Sequence, residues 1–405
     1  MRIVTLPSAR VVKKSHRHVG LWLLLVVVVS FPTVLYFRPL PPASITITLP
    51  KSVKPTSSDI SWPSGQAAFS AEGFDFLESN QADSKISTAS IAKVITALCV
   101  LERKPLKLGE AGPTLTMGSE DVQRYQLELA RDGTTFAVAE GDKLTEYEIL
   151  QAILLPSANN IADSAAIWAF GSLNDYRAFA QNYVQSHNMT ATTIGPDASG
   201  YDPSTTSTPS DLVKLAKIAL KNSVIMEITG KPTATIGNDK VINNHNIMVG
   251  KDGITGLKTG RNDENSGGLL FTANVGEGSH TVKVAGIVTN AGSLSAALVG
   301  TAQLVVSLQK DFPVSVVAAK NSSVGSLHTA WGTTTSIVAL NDVALQHWAG
   351  SAIYEYHDIR AVSGTRQETI GTIYAKADGR KSSAAIGVAT PAAAPTIFWR
   401  ITHIR

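Results

Sequence analysis

Three short motifs in this sequence contain residue types that could carry out acyl transfer. Ser90 and Lys93 are separated by two residues at the start of an apolar stretch. Ser157 and Asn159 follow the apolar run QAILLP, and a single Lys-Thr-Gly tripeptide stands at 258–260. Because a serine hydroxyl is a weak nucleophile unless a base lies beside it, this set predicts a covalent mechanism with Ser90 as nucleophile and Lys93 as its base.

The spacing of Ser90 and Lys93 suits this chemistry. Residues three apart lie on one face of a helix, so the lysine amine can reach the serine hydroxyl. A lysine acts as a base only when its pKa falls, and burial, a helix N-terminus and a second cation such as Lys258 all favour a low pKa. Ser157 can relay the proton towards the leaving amine, while Asn159 can hydrogen-bond Lys93 or a substrate amide.

The third motif predicts a binding site for a substrate carboxylate. Lys258 offers a cation and Thr259 a hydroxyl for hydrogen bonds to an anion. Gly260 would let the substrate backbone come close to the strand. The backbone N–H groups of Ser90 and Arg261 can form an oxyanion hole, the pair of donors that stabilises a charged tetrahedral intermediate.

Each of these motifs is common on its own. The Ser-x-x-Lys spacing recurs at 307–310, and Ser-x-Asn recurs at 172–174 and 186–188. A solvated helix serine with a lysine nearby is the ordinary explanation for any single match. The order of the three motifs, the apolar helix that Ser90 opens and the single Lys-Thr-Gly distinguish this set from the other matches.

The sequence around the motifs resembles the serine-type D-alanyl-D-alanine carboxypeptidases, which belong to the low-molecular-mass penicillin-binding proteins. The nucleophile helix of that family is similar to STASIAKVITALCVLE, and its second-motif segment to GDKLTEYEILQAILLPSANNIAD. The segments that lead to its third motif resemble ASGYDPSTTSTPSDLVKLAKIAL and NNHNIMVGKDGITGLKTG. The similarity covers residues 60–310, and the segment after 311 is similar to the family's C-terminal domain.

This resemblance implies an α/β (α+β) fold like that of transpeptidases and β-lactamases, with helices on both faces of an antiparallel sheet, a helical lobe and a small all-β C-terminal domain. It implies removal of the terminal D-alanine from peptidoglycan stem pentapeptides through an acyl-enzyme on Ser90, without a cofactor or a metal. β-Lactams, which mimic D-Ala-D-Ala, would acylate the same serine. The residues that match family motif positions are Ser90, Lys93, Ser157, Asn159, Lys258, Thr259 and Gly260.

Four residues depart from the family pattern. Asn160 stands where the family often has aspartate, and Ser266 where it often has glycine. Arg261 and Asn262 replace the more usual aromatic residue or histidine followed by threonine. Because this pair adjoins the predicted carboxylate site, we expect it to affect substrate preference and rate. The amphipathic C-terminal anchor helix of many family members is not predicted here.

An uncharged segment of nineteen residues, 19–37, predicts an N-terminal transmembrane helix. At about 1.5 Å per residue it is as long as the hydrocarbon core of a bilayer is thick. The preceding segment, 1–18, has five basic residues and no acidic one, so the positive-inside rule places it in the cytoplasm and the rest of the chain outside. A cleaved signal peptide is the alternative, and it would export the rest of the chain as well.

Composition divides the remainder into three parts. A proline-rich segment, 38–60, predicts a stiff extended linker. Residues 61–310 form the predicted catalytic domain, and 311–405, with short Val/Thr/Ser runs between glycines, a small β domain. The apolar spacing predicts helices over 90–102, 146–154, 160–170, 173–187, 209–222 and 294–309, and strands over 268–274 and 280–289.

The composition also excludes several classes of protein. One cysteine among 405 residues excludes an intramolecular disulfide framework and a multi-cysteine metal site, and the histidines lack metal-ligand spacing. Beyond the basic tail, 30 basic residues face 32 acidic ones, so nothing indicates a nucleic-acid partner. Two alternatives stay open: a D,D-endopeptidase or β-lactamase that uses the same serine, and a catalytically weak scaffold that binds penicillin or peptidoglycan.

Overall fold

The computed structural model describes residues 17–49, 55, 59–261, 266–362, 364–365 and 369–403. Its first element, helix α1 (Arg17–Phe37), contains Val19–Phe37, the one segment among the described residues that is helical, long and apolar enough to cross a membrane. The mean hydropathy of this segment is 2.3, and most of its large apolar side chains are exposed, as in a helix that faces lipid. Most of the predicted basic tail, 1–16, lies outside the described residues.

The predicted linker contains a strand that belongs to the C-terminal part of the chain. Strand β1 (Ser44–Ile47) pairs antiparallel with the strand Ser323–His328, and Ile45 and Ile47 pack against the core of that sheet. The prediction of an extended spacer over all of 38–60 is therefore wrong for β1. Apolar β-branched residues alternate here, a pattern typical of a half-buried strand, and this pattern outweighs the prolines on either side.

The helices between residues 59 and 310 include every one that the apolar spacing predicts, with ends that differ by at most a few residues. Two more, over 119–130 and 223–229, were not predicted, because the first is largely polar and the second is short. The helices are α2 (Ala92–Arg103), α3 (Ser119–Ala130), α4 (Glu146–Leu154), α5 (Asn159–Phe170), α6 (Leu173–Ser186), α7 (Pro209–Lys221), α8 (Ser223–Thr229) and α9 (Leu294–Ser307).

An antiparallel sheet lies at the centre of this part of the chain. The strands are β2 (Gln66–Ala71), β3 (Glu78–Ser79), β4 (Ile86–Ser87), β5 (Thr114–Thr116), β6 (Lys143–Thr145), β7 (Thr206–Ser207), β8 (Thr233–Ile236), β9 (Lys240–Asn243), β10 (Ile254–Gly260), β11 (Gly268–Val275) and β12 (Val282–Thr289). Five of them form the sheet in the order β10-β11-β12-β2-β3. The strand that carries the Lys-Thr-Gly tripeptide, β10, is thus an edge strand.

Apolar side chains cover both faces of this sheet. On one face Ala68, Leu270 and Ile287, which pair across three strands, belong to the same buried cluster as residues of α2, α4 and α5. On the other face Leu269 and Phe271 share a cluster with residues of α9. Because neighbouring residues on a strand point to opposite faces, strands with consecutive apolar residues need a layer on each side. The predicted arrangement of an antiparallel sheet between helices is confirmed.

The C-terminal part of the chain is mostly β, as predicted, but it ends in a short helix. The strands are β13 (Val314–Ala318), β14 (Ser323–His328), β15 (Thr334–Ala339), β16 (Val343–Gln346), β17 (Tyr354–Ile359), β18 (Thr369–Ala377) and β19 (Arg380–Val388). Six strands form one sheet in the order β1-β14-β15-β19-β18-β17. The unpredicted helix, α10 (Ile397–Thr402), lies beside α1, and its Arg400 donates to the backbone oxygen of Tyr36.

An aromatic contact joins the C-terminal part to the sheet of the catalytic part. Trp348 stacks on Phe76, with ring centroids 5.1 Å apart, and its Nε1 donates to the Glu78 Oε1 at 3.0 Å. The backbone N–H of Asp75 donates to the backbone oxygen of Asp378 at 2.9 Å. These contacts lie at β3, the edge of the sheet opposite β10, so they do not cover the strand with the third motif.

Candidate active site

The predicted nucleophile, Ser90, lies in a 3₁₀ turn, Ala89–Ile91, that leads directly into α2. The Lys93 Nζ is 2.8 Å from the Ser90 Oγ. Ser90 is half-buried and Lys93 is completely buried. Ala89 has a φ of 45°, a left-handed conformation that costs a non-glycine residue about 1–3 kcal/mol and is typical of functional sites.

The hydrogen bonds of the Lys93 amine determine the direction of its lone pair. Besides Ser90, the Nζ contacts the Asn159 Oδ1 at 2.7 Å and the backbone oxygen of Ser199 at 2.9 Å. Both oxygens can only accept hydrogen bonds. When the amine is neutral, it donates its two protons to these oxygens, and its lone pair then faces the Ser90 hydroxyl. The geometry therefore suits proton transfer from Ser90 to Lys93.

Burial lowers the pKa of Lys93 from 10.5 to about 7, which makes the amine a usable base near neutral pH. The negative charges of Asp197, Asp163 and Glu128 act in the opposite direction and favour the ammonium form. Removal of the amine from water, one of the three causes expected from the sequence, is thus the dominant one. The three carboxylates around the amine were not predicted.

Ser157 and Asn159 lie at the tight connection between α4 and α5. Ser157 has a φ of 69°, and its buried Oγ has no hydrogen-bond partner among the described residues, so this hydroxyl is available to a substrate. Asn159 uses both ends of its amide: the Oδ1 accepts from Lys93, and the Nδ2 donates to the Glu128 Oε2 at 2.9 Å. Of the two partners expected for Asn159, Lys93 is in contact with it in the structure, and the contact with a substrate amide stays a prediction.

The departure at Asn160 has a structural explanation. Its Oδ1 accepts from the backbone N–H of Phe136 at 3.0 Å, and its Nδ2 donates to the backbone oxygen of Phe136 at 2.9 Å. An ionised aspartate can only accept hydrogen bonds, so it could form only one of these two contacts. Asn160 thereby connects the start of α5 to the loop that follows α3.

The third motif lies next to the nucleophile turn. Lys258 and Thr259 are buried on β10, and the Lys258 Nζ donates to the Thr259 backbone oxygen at 3.1 Å. Burial lowers the pKa of Lys258 well below its usual value, and the positive charge of Lys93 lowers it further. A Cβ at Gly260 would lie 3.0 Å from the Ile91 Cγ1, so the glycine lets β10 approach the turn. The predicted approach of a substrate at Gly260 stays a prediction.

Arg261 follows β10 with an exposed side chain. It lines a cavity of about 270 Å³ together with Thr88, Ala89 and Gly260. This cavity lies where the edge strand β10 ends beside the nucleophile turn. Asn262, the other residue of the unusual pair, lies outside the described residues.

A loop ahead of β7, not predicted to belong to the site, supplies one contact to the Lys93 amine. The Asp197 Oδ1 accepts from the backbone N–H of Ser199 at 2.8 Å and from its hydroxyl at 2.7 Å, and this holds the Ser199 carbonyl in place. Gly200 has a φ of 70°, and a Cβ there would lie 2.2 Å from the Ala89 backbone oxygen. The run Asp-Ala-Ser-Gly, rich in turn-forming residues, was the available signal.

His245 also lies near the two lysines of the site. Its pKa is lowered to about 4, mostly by burial and in part by the positive charges of Lys258 and Lys93. The backbone N–H of His245 donates to the Leu155 backbone oxygen at 3.1 Å, which places the residue close to the second motif. Its spacing in the sequence gave no signal for this position.

Comparison with known families places the same region in one group of enzymes. A family model described as D-alanyl-D-alanine carboxypeptidase matches residues 72–292, more than half of the chain. The chain belongs to the D-alanyl-D-alanine carboxypeptidase family. The matched range includes all three motifs, and the resemblance found in the sequence is confirmed.

Relatives of this chain include a named protein of similar sequence and proteins whose structures have been solved. The D-alanyl-D-alanine carboxypeptidase of Streptomyces sp. (strain K15) is 27% identical over 217 residues, which are 49% of this chain and 72% of the relative. The crystal structure of the Streptomyces K15 DD-transpeptidase matches with a TM-score of 0.53 at 22% identity and covers 62% of this chain and 97% of that one.

Two further solved structures cover more of the chain. A peptidoglycan synthesis regulatory factor (PBP3) from Streptococcus pneumoniae has a TM-score of 0.59 at 17% identity, over 81% of this chain and 98% of that one. Penicillin binding protein 5 from Haemophilus influenzae has a TM-score of 0.57 at 14% identity, over 84% of this chain and 99% of that one. At these identities the structural matches bear on the fold alone, and they confirm the predicted fold class.

Membership of this family defines the class of reaction. The chain is a serine-type hydrolase of the D-alanyl-D-alanine carboxypeptidase family. The prediction of a serine D-Ala-D-Ala carboxypeptidase is confirmed at this level.

Proposed function

We propose that the carboxypeptidase removes the terminal D-alanine from peptidoglycan stem pentapeptides through an acyl-enzyme on Ser90. The observation that carries this proposal is the 2.8 Å contact between the Ser90 Oγ and a buried amine whose two other hydrogen bonds go to oxygens that only accept. Lys93 removes the proton while Ser90 attacks the carbonyl carbon of the D-Ala–D-Ala bond. The backbone N–H groups of Ser90 and Arg261 stabilise the resulting oxyanion.

Collapse of this tetrahedral intermediate breaks the peptide bond and releases D-alanine. The unpartnered Ser157 hydroxyl passes the proton from Lys93 to the leaving amine. The Lys93 amine is then neutral again, so it can take a proton from a water molecule that attacks the ester. Transfer of this proton to the Ser90 Oγ restores the nucleophile and releases the tetrapeptide.

Lys258 and Thr259 bind the terminal carboxylate of the substrate in this proposal. Lys258 is 1% exposed, and its burial favours the neutral form of the amine. A substrate carboxylate beside the Nζ reverses this preference, so binding charges the lysine and forms a charge-assisted hydrogen bond. The Thr259 hydroxyl, 3.4 Å from the same Nζ, supplies a second donor to the anion.

Replacement of Lys258 by methionine is expected to lower kcat/KM for peptides that end in a free D-alanine carboxylate roughly 10- to 100-fold, the effect of one lost charge-assisted hydrogen bond. A matched substrate that ends in D-alaninamide lacks the carboxylate. On this substrate the variant and the wild type should therefore have nearly the same kcat/KM. Steady-state kinetics on both substrates measure this. An equal loss on the two substrates would contradict the carboxylate role.

The N-terminal helix supports a location at the outer face of the cytoplasmic membrane. Val19–Phe37 is long and apolar enough to span a bilayer, and the basic segment 1–18 favours a cytoplasmic N-terminus. The catalytic part would then face outwards, where peptidoglycan is, tethered as a single-pass membrane protein. A protease added to intact spheroplasts is expected to cut this part off, and full protection would contradict the orientation.

Product analysis separates the proposed reaction from its alternatives. With a stem pentapeptide the enzyme is expected to release D-alanine and leave a tetrapeptide, whereas a cross-linked dimer should stay intact. Cleavage of the dimer instead would identify a D,D-endopeptidase, and fast penicillin hydrolysis without D-alanine release a β-lactamase. Binding of peptidoglycan without any product would identify a weakly catalytic scaffold. Each of these three results contradicts the proposal.

A further inference from the structure

A buried carboxylate outside the three motifs contacts the active-site amide. Glu128, on α3, is 2% exposed, and its Oε2 accepts from the Asn159 Nδ2 at 2.9 Å. Arg131 binds the same carboxylate twice, through its Nη2 and, at 3.2 Å, through its Nε. We propose that Glu128, held by Arg131, is a positioning residue that orients the Asn159 amide and thereby directs the Lys93 lone pair at Ser90. This inference rests on the proposed function of Ser90 and Lys93.

The argument depends on which atoms can donate hydrogen bonds. A guanidinium only donates and an ionised carboxylate only accepts, so the Arg131–Glu128 contact leaves one acceptor facing Asn159. An acceptor there selects the amide orientation in which Nδ2 faces Glu128 and Oδ1 faces Lys93. In the flipped orientation, the Nδ2 would face the Lys93 amine and compete with the Ser90 proton for its lone pair. The Glu128 carboxylate therefore determines the orientation of the Asn159 amide, which the asparagine could not determine alone.

The same carboxylate acts on the charge of the amine. The groups that face Lys93 from neighbouring elements are Asp197, Asp163, Glu128, Lys258 and His245. The negative charge of Glu128 favours the ammonium form of Lys93, and the guanidinium of Arg131 offsets that charge. Removal of Glu128 should therefore make Lys93 easier to deprotonate, and removal of Arg131 should make it harder.

The surrounding backbone is shaped around this carboxylate. A Cβ at Gly133 would lie 2.1 Å from the Glu128 Oε2 and 3.1 Å from the Asn159 Nδ2, so any other residue there would displace the contact. Tyr201 holds the other side: its ring lies 4.0 Å from the Arg131 Cζ, and its hydroxyl donates to the Arg131 backbone oxygen at 3.0 Å. Tyr201 thus contacts both the side chain and the backbone of Arg131 and holds it against the Glu128 carboxylate.

The test is the rate of Ser90 acylation by a fluorescent penicillin, measured across pH on the full chain. Glu128→Met, which removes the acceptor, is expected to lower the high-pH plateau of the rate roughly tenfold or more, because proton transfer is misdirected. Glu128→Gln, which removes the charge but keeps an acceptor, is expected to move the acid limb of the profile to lower pH. Arg131→Gln is expected to move the acid limb to higher pH. The matched control is Glu120→Gln on the same helix, whose carboxylate is 79% exposed, and it should reproduce the wild-type profile.

Opposite shifts of the acid limb are the result that a merely structural role does not give. If Glu128→Met is labelled with the wild-type plateau, or if Glu128→Gln and Arg131→Gln do not shift the acid limb in opposite directions, the inference is wrong. If Glu128→Gln does not fold, the upward shift expected for Arg131→Gln still decides. Failure of the proposed function looks different: the wild type itself would not be acylated at Ser90, and both proposals would fall together.

Discussion

Replacement of Lys93 by methionine is expected to reduce D-alanine release from a stem pentapeptide by about 10²–10⁴-fold, the usual contribution of a general base. Methionine has nearly the same length but no amine, so the Ser90 hydroxyl loses the group that takes its proton. Lys104→Met is a matched control, since the Lys104 Nζ lies over the Trp168 ring at 4.3 Å, and it should keep wild-type activity. Circular dichroism of both variants shows whether the fold is retained.

The pH profile identifies the base more specifically than the loss of rate. Because the pKa of Lys93 is about 7, kcat/KM of the wild type should rise roughly tenfold per pH unit below this value, as the amine loses its proton, and level off above it. The residual rate of the Lys93→Met variant should lack this rise. A variant that keeps the wild-type acid limb would mean that another group titrates there, and Lys93 would not be the base.

Replacement of Ser90 by alanine is expected to abolish D-alanine release, leaving no more than the background of the assay. The chemistry passes through a covalent bond to the Ser90 Oγ, and removal of a nucleophile leaves only the small acceleration due to binding. Ser307→Ala is the matched control, because 307–310 has the same Ser-x-x-Lys spacing but the Ser307 hydroxyl donates to the Leu304 backbone oxygen at 2.7 Å. Activity that persists in Ser90→Ala would contradict the assignment of the nucleophile.

The groups that could be found in the sequence are those whose geometry depends on local spacing. Ser90 and Lys93 are one helical turn apart, and Lys258 adjoins Thr259 on a strand, so the chain itself sets their relative positions. Local pattern is thus sufficient for the motifs and for most of the helices.

The supporting groups could not be found in this way, because they come from distant parts of the chain. Glu128 precedes its partner Asn159 by 31 positions, and Ser199 follows Lys93 by 106. β1 pairs with a strand whose residues are about 280 positions away, as for Ser44 and His328, 284 apart. Neither the apolar period nor the turn-forming residues of the sequence predict such pairings, because they arise only when the helices and strands pack.

The most direct test of the account is mass spectrometry of the full chain after incubation with benzylpenicillin, followed by proteolysis. The account predicts one penicilloyl adduct per chain, located on Ser90, that forms faster as the pH rises through about 7. The Ser90→Ala variant should carry no adduct, whereas Ser307→Ala should be modified like the wild type. An adduct on Ser157 or on any other residue, or modification of the Ser90→Ala variant, would contradict the claim that Ser90 is the nucleophile.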